Sequence, residues 1–320
     1  MREITFEQAI LEAIQEEFRR DPRTVHFSTN LPRELCEEFG AGRIRVTPVA
    51  ESSFVGAAIG LAGSGFRTVV NIRMATFGFV AMDQLMNHAA KITYMFGGQA
   101  SFPVLYRMTV GGGIAAAAEH SVSPYPMYMN SPGLKIILPS TPYDAKGLFK
   151  TALRDNNPVV SFEHITFAGM KGEVPEDEYF VPFGQAAIRR EGSDVTVVGL
   201  AKMAHEALAA ADDLAAEGIS MEVIDPRTLV PLDTGTILES VRKTGRLVVV
   251  DEACQTCGAA AEILALATSD KTTFARLKAA PARVCGLDVP IPFSPPLERF
   301  ALPDKAAIVE AVREVMAGGA

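Results

Sequence analysis

The chain has 320 residues, 48% of them hydrophobic and 21% charged, with a formal net charge of −8. That apolar content supports a sizeable core and excludes a disordered chain, and the absence of a dense Lys/Arg cluster leaves nucleic-acid binding without support. Four cysteines at this length make no disulfide framework, and the most apolar runs, such as Val55 to Ala62, fall well short of the roughly 20 residues that span a bilayer. Met1 to Asp21 is studded with charge and lacks a signal-peptide core, so a soluble, cytoplasmic protein is expected.

Length suggests two domains of about 150 residues each. Phe6 to Arg20 reads as a helix, with Ala9, Ile10, Ala13, Ile14 and Phe18 at three-four spacing. Thr24 to Ser28 reads as a strand, Glu51 to Ala62 as a small-residue helix, and Thr68 to Ile72 as a strand. Phe77 to Met95 is helix-like, ending at Gly97-Gly98. Pro103 to Tyr106 is a strand, Gly111-Gly112-Gly113 a flexible loop, Leu134 to Leu138 a strand, Pro142 to Leu153 a helix and Val159 to Phe162 a strand. From about 165 to 185 the pattern dissolves into Gly, Pro and an acidic run, which marks a linker. A second alternation follows. Strands are expected at Asp194–Leu200, Ser220–Ile224, Arg246–Val250 and Ala282–Cys285, and helices at Ala204–Glu217, Asp233–Lys243, Cys257–Thr268 and Asp304–Met316. Apolar strands alternating with helices predict an α/β protein of two doubly wound domains with mostly parallel sheets, residues 1–185 and 186–320.

Three common site motifs are missing. Gly111-Gly112-Gly113 lacks the Gly-Lys-Ser/Thr of a phosphate loop, no G-x-G-x-x-G opens a helix after the first strand, and no G-x-S-x-G occurs. Cys254 and Cys257 form a C-x-x-C, but Cys36 and Cys285 are isolated and no His stands at zinc spacing, so neither a metal nor a redox role is favoured.

Two residues stand out. Glu51 follows Thr47-Pro48-Val49-Ala50 and opens a helix. An acid there is explained by the helix dipole alone. It is also where open α/β sheets place ligands, at a strand-to-helix connection. His120, after the triple glycine, is either a surface or capping residue or a proton carrier on a loop. His26, His88, His164 and His205 fall in predicted strands or helices and read as structural.

Taken together, these segments resemble the beta subunits of thiamine-diphosphate-dependent 2-oxoacid dehydrogenases. The resemblance is carried by Glu51-Ser-Ser-Phe-Val-Gly-Ala-Ala-Ile-Gly60, Met82-Asp-Gln84, Asn87-His-Ala-Ala-Lys91, Tyr94-Met-Phe-Gly-Gly98, His120-Ser121, Pro132-Gly-Leu-Lys135, Asp144-Ala-Lys-Gly147, Arg154-Asp-Asn-Asn-Pro158 and Asp288-Val-Pro-Ile-Pro292, in order from about residue 4 to 315. Gly172-Glu-Val-Pro-Glu176, Ile224-Asp-Pro-Arg-Thr228 and Asp251-Glu-Ala253 with Cys257 are most similar to the acetoin dehydrogenase branch.

The resemblance implies a transketolase-like pyrimidine-binding domain of the thiamine-diphosphate-binding fold, followed by a transketolase C-terminal-like domain. It implies thiamine diphosphate bound between this chain and an alpha subunit in an α2β2 heterotetramer. The alpha chain would hold the diphosphate through Mg2+ and a Gly-Asp-Gly motif, which this sequence lacks. Glu51 matches the carboxylate that hydrogen-bonds the aminopyrimidine, and Phe77 the aromatic that packs on it; Phe79 stands close by, and plain core packing explains either ring. His120 matches a histidine at the substrate mouth that serves acyl transfer to a lipoyl group. Val104, Ala152, Leu153, Asp155 and Asn157 match positions that hold K+ in some members, mostly through main-chain oxygens.

Three departures surround the mouth. Phe27-Ser-Thr-Asn-Leu-Pro32 replaces a family Gly-Glu-Asp or Gly-Glu-Glu, and the loop after it is short; Glu119-His-Ser-Val122 replaces Gln-His-Ser-Gln; and Arg73 stands where an apolar residue is usual. Arg73 is either a bidentate partner for an anionic substrate group or a surface cation. The implied activity is the first component of an acetoin or 2-oxoacid dehydrogenase complex, working with a lipoyl acyltransferase on a small-molecule substrate. The alternative is a two-subunit carboligase or transketolase-like enzyme without a lipoyl partner, which Arg73 and the altered surroundings of His120 favour. A third reading, a non-catalytic paralogue, is opposed by the retained Glu51 and His120.

Overall fold

In the computed structural model, residues 1–318 are described; positions 319 and 320, the end of the second expected domain, lie outside the described residues. The chain divides into two compact units, and the division is not a single cut. Met1–Val110 and Met127–Phe183 form one unit, while Gly111–Pro126 joins the chain from Gly184 onward in the other. Composition could not show that the glycine-rich loop, embedded in the first half of the sequence, folds with the second.

The elements up to residue 183 are β1 (Arg2–Thr5), α1 (Phe6–Arg20), β2 (Thr24–Ser28), α2 (Arg33–Phe39), β3 (Ile44–Val46), α3 (Glu51–Gly63), β4 (Arg67–Met74), α4 (Ile92–Met95), β5 (Val104–Val110), α5 (Ala117–His120), α6 (Tyr125–Met129), β6 (Lys135–Ile137), α7 (Pro142–Arg154), β7 (Val159–His164) and β8 (Lys171–Val174). In the first unit the parallel sheet runs β6-β7-β5-β4-β2-β3. Helix α1 starts where the sequence dictates. Thr5 Oγ1 accepts from Gln8 N–H at 3.2 Å and Gln8 Oε1 from Thr5 N–H at 2.9 Å, a reciprocal cap that satisfies two otherwise orphaned donors. Its buried face carries Phe6, Ile10, Ile14 and Phe18, the three-four stripe. Ion pairs tie it to α7, with Lys150 Nζ 2.6 Å from Glu16 and 3.3 Å from Glu17.

Two expectations fail in this unit. The stretch from Phe77 to Met95 is not one helix. It is a 3-10 segment (Ala75–Ala81), a π-helical segment (Asp83–Ala89) and the short α4. Thr76, Phe77, Gly78, Phe79 and Val80 are five poor helix formers in a row, so local propensity does not hold a regular helix there. The expected linker contains β8, which pairs antiparallel with β1 from Arg2↔Val174 to Thr5↔Lys171. These short, charged strands lack the apolar run that reveals a buried strand.

The second unit adds β9 (Ala187–Arg190), β10 (Val195–Gly199), α8 (Lys202–Ala215), β11 (Met221–Asp225), β12 (Thr228–Val230), α9 (Thr234–Thr244), β13 (Leu247–Cys254), α10 (Ala259–Ser269), α11 (Lys271–Phe274), β14 (Ala282–Gly286), α12 (Pro295–Ala301) and α13 (Lys305–Ala317). Its sheet runs β14-β13-β10-β11-β9, parallel except for the β9 edge. Val195, Val197, Val223, Val248 and Val250 pack beneath Met203, Ala207 and Leu214 of α8 and Ile308 and Val312 of α13. The doubly wound α/β class follows from these two sheets. Helix α10 begins at Ala259 rather than Cys257, because Cys257 has φ 54 and Gly258 is the N-cap.

Candidate active site

Strand β3 leaves the sheet through Thr47-Pro48, and Ala50 becomes the N-cap of α3, its carbonyl accepting from Ser53 N–H at 3.0 Å. Glu51 is therefore the first residue of the helix, where four backbone donors lack intrahelical partners and the dipole favours an anion. It is 7% exposed. Among the described residues, no side-chain hydrogen bond or ion pair reaches its carboxylate.

The next residue fixes the neighbourhood. Ser52 Oγ donates to the Val80 carbonyl at 2.7 Å and so ties the first turn of α3 to the 3-10 segment that carries Phe77. Phe77 is half-buried, whereas Phe79 is 40% exposed. The chain thus brings a buried carboxylate and an aromatic segment to one place in the first unit. Both fit one aminopyrimidine ring: a polar partner for its ring nitrogen and an apolar neighbour for its plane.

Arg73 lies on the same unit, near the end of β4. It is exposed, with φ 72, at a bulge where the β4–β5 register shifts between Asn71 and Arg73. Its N–H donates to Asn71 Oδ1 at 3.1 Å. The side chain lines a cavity of about 440 Å³ with His26, Ser28, Asn71 and Arg107. Arg107 is held by Glu163 in a bidentate pair of 2.9 and 2.7 Å. Burial, aided by the Arg107 charge, pushes the His26 imidazole down to about 3, so it stays neutral.

The five positions matched to K+ cluster at the C-terminus of α7 and the start of β5. Asp155 caps α7, its N–H donating to Ala152 O at 3.2 Å. The carbonyls of Leu153 and Asp155 already accept from Arg67 Nη1, at 3.2 and 2.6 Å. The Asp155 carboxyl pairs with Lys135 and accepts from Asn157 at 2.8 Å; these partners, working against burial, hold it below the usual range. Arg67 and Lys135 therefore already stand on part of this oxygen set.

His120 belongs to the second unit, as the last residue of α5, and is half-buried. Its neighbour Ser121 is buried. All four cysteines are free thiols, Cys254 and Cys257 both exposed, and no group of three or more His, Cys, Asp or Glu side chains among the described residues is arranged to hold a metal. Sequence reasoning missed the buried Tyr125, Asp251 and Glu298. Their partners lie 126 to 185 positions away in sequence, and no local spacing reveals such pairs.

Comparison with known proteins gives the class first. Residues 2–165 match the transketolase pyrimidine-binding domain family, and residues 184–308 match the transketolase C-terminal domain family. A solved split-gene transketolase, described as an inactive beta4 tetramer, shares the fold with a TM-score of 0.82 over 99% of both chains at 23% identity. Among curated proteins, the beta subunit of the acetoin:2,6-dichlorophenolindophenol oxidoreductase of Cupriavidus necator is 44% identical over 99% of both chains. Two Bacillus subtilis proteins follow. The pyruvate dehydrogenase E1 beta subunit is 39% identical over 99% of both chains, and the 2-oxoisovalerate dehydrogenase beta subunit 38% identical over 98% of this chain and 99% of its own. The chain belongs to the family of acetoin and 2-oxoacid dehydrogenase beta subunits.

Proposed function

We propose that the chain is the beta subunit of a two-chain thiamine-diphosphate enzyme, the first component of an acetoin or 2-oxoacid dehydrogenase complex. Its reaction cleaves acetoin or decarboxylates a 2-oxoacid and passes the acyl unit to a lipoyl group. Thiamine diphosphate, when bound, supplies the nucleophilic carbon and the electron sink that no protein side chain provides. The observation that carries the reading is Glu51, a buried carboxylate at a helix N-terminus without a described partner, in a chain related along its full length to such beta subunits.

In this reading Glu51 would hold the aminopyrimidine ring by accepting a charge-assisted hydrogen bond from its ring nitrogen, and would thereby support the ring's use as a base. Phe77 keeps that ring dry and in place. His120 moves a proton or steadies charge during acyl transfer. Arg73, at the Arg107 cavity, receives an anionic group of the substrate. Mg2+ is held by the alpha chain, since this sequence has no Gly-Asp-Gly. K+ at Val104, Ala152, Leu153, Asp155 and Asn157 would have to share carbonyls with Arg67, and no step depends on it. The assembly is α2β2, docked to a lipoyl acyltransferase and working in the cytoplasm; no helix among the described residues is long and apolar enough to cross a membrane.

The test is Glu51→Gln in the enzyme reconstituted with its alpha chain. Turnover falls by about 100-fold or more, in line with loss of an acid–base group, while thiamine diphosphate still binds. Unchanged turnover would instead make the chain a non-catalytic paralogue.

A further inference from the structure

The loop that carries His120 is strained and clamped. Gly111, Gly113, Ala115 and Ala117 alternate through positive φ, at 88, 108, 57 and 63. Two of them are alanines, which leave the left-handed region unless their surroundings hold them there. Alternating conformations of this kind aim successive N–H groups to one side and form an anion-binding concavity.

A carboxylate of the same unit fills it. Glu298, in the first turn of α12, is 3% exposed. Its Oε1 accepts from Gly113 N–H at 3.0 Å and its Oε2 from Ala115 N–H at 2.9 Å. A Cβ on Gly112 would lie 2.5 Å from Leu302 Cδ1 and 3.3 Å from Glu298 Oε1, so the loop presses directly on α12. At the far end Tyr125, fully buried, donates its hydroxyl to Asp251 of β13, whose Oδ1 also accepts from Ala253 N–H at 3.0 Å. The base is closed by Gly111 N–H to Val122 O at 3.3 Å. His120 sits between these two anchors, one residue before the buried Ser121.

We propose that Glu298 and the Tyr125–Asp251 pair are positioning residues for His120: they hold the Gly111–Pro126 loop in one strained conformation and so present the imidazole at a fixed place. The inference rests on the reading of His120 as the acyl-transfer residue. Both oxygens of Glu298 act as acceptors. Glutamine at this position offers one acceptor and turns a donor towards a donor.

The test uses the enzyme reconstituted with its alpha chain, as wild type, His120→Ala, Glu298→Gln and the double variant. Glu298→Gln lowers turnover by about ten-fold, as loss of a charge-assisted bond suggests. It speeds amide exchange across residues 111–117 by a similar factor, about ten-fold, by raising the population of the open loop. Because Glu298 acts through His120, adding Glu298→Gln to His120→Ala lowers turnover no further, whereas independent effects would multiply. Multiplying effects, or unchanged exchange and turnover in the single variant, overturn the clamp. Unchanged turnover in His120→Ala overturns the reading of His120 instead, so the two failures are told apart. Should Glu298→Gln not fold, Tyr125→Phe is tested in its place, with the same lowered turnover and the same lack of further effect in the His120→Ala background expected.

Discussion

Arg73 holds a backbone conformation that costs an L-residue about 1–2 kcal/mol. Its φ of 72 is accommodated by the Asn71 side chain and the bulge beside β5. On the proposed role, a substrate carboxylate would meet Arg73 at the end of a sheet strand, beside a cavity that also holds the Arg107 guanidinium. Arg73→Gln should therefore raise KM for a 2-oxoacid by about ten-fold or more, the worth of a charged hydrogen bond, and leave KM for uncharged acetoin within about two-fold. Equal effects on both substrates in steady-state assays would remove Arg73 from substrate recognition.

Asp251 links a proton to stability. Burial lifts its carboxyl from 3.8 to about 6, although Tyr125 and the Ala253 N–H pull it down. The native chain thus binds this proton more tightly than the unfolded chain. The stability it contributes is full below about pH 4 and lost as pH rises through 6, about 3 kcal/mol in all. Asn at 251 stays neutral. Relative to wild type, Asp251→Asn should gain about that 3 kcal/mol between pH 4 and 7.5 in urea unfolding. A pH-independent difference would contradict a raised carboxyl.

At this scale the legibility of the sequence was uneven. Glu51, Phe77 and His120 stand in motifs and could be singled out in advance. Glu298 sits in an ordinary helix start, and only the fold shows that its carboxylate meets Gly113 and Ala115.

Among the elements, buried strands were the easiest to read. β10 and β11 are buried at every residue and β13 at all but its last, so their apolar runs survive in sequence. β1 and β8 were invisible for the opposite reason: they pair only with each other, are four residues each, and carry charge. The 3-10 and π segments show tertiary packing overriding helical periodicity. Ala90 N–H reaches back five residues to Leu85 O at 3.0 Å, and a Cβ on Gly133, which has φ 105, would lie 1.8 Å from the Ala90 carbonyl. A one-dimensional pattern contains neither constraint.

At the scale of the molecule the chain forms two units, and the loss of strand–helix alternation from about 165 to 185 marks a boundary near 185. What the sequence could not suggest is that Gly111–Pro126 crosses to the second unit, taking His120 with it. The candidate residues are therefore divided, Glu51, Arg73 and Phe77 on the first unit and His120 on the second. On the proposed reading, Glu51 and Phe77 serve the aminopyrimidine, and the sequence has no Gly-Asp-Gly for a metal-bound diphosphate. Half a site would bind only part of a ligand, so that reading assigns most of the affinity to the alpha chain.

Calorimetric titration of thiamine diphosphate with Mg2+ into this chain alone, and into this chain mixed with its alpha subunit, tests that division directly. The account predicts binding at least about 100-fold tighter in the mixture, since the lost diphosphate contacts correspond to several charge-assisted bonds. Equal affinity for the chain alone would show that it carries a complete cofactor site and contradict its assignment as half of one.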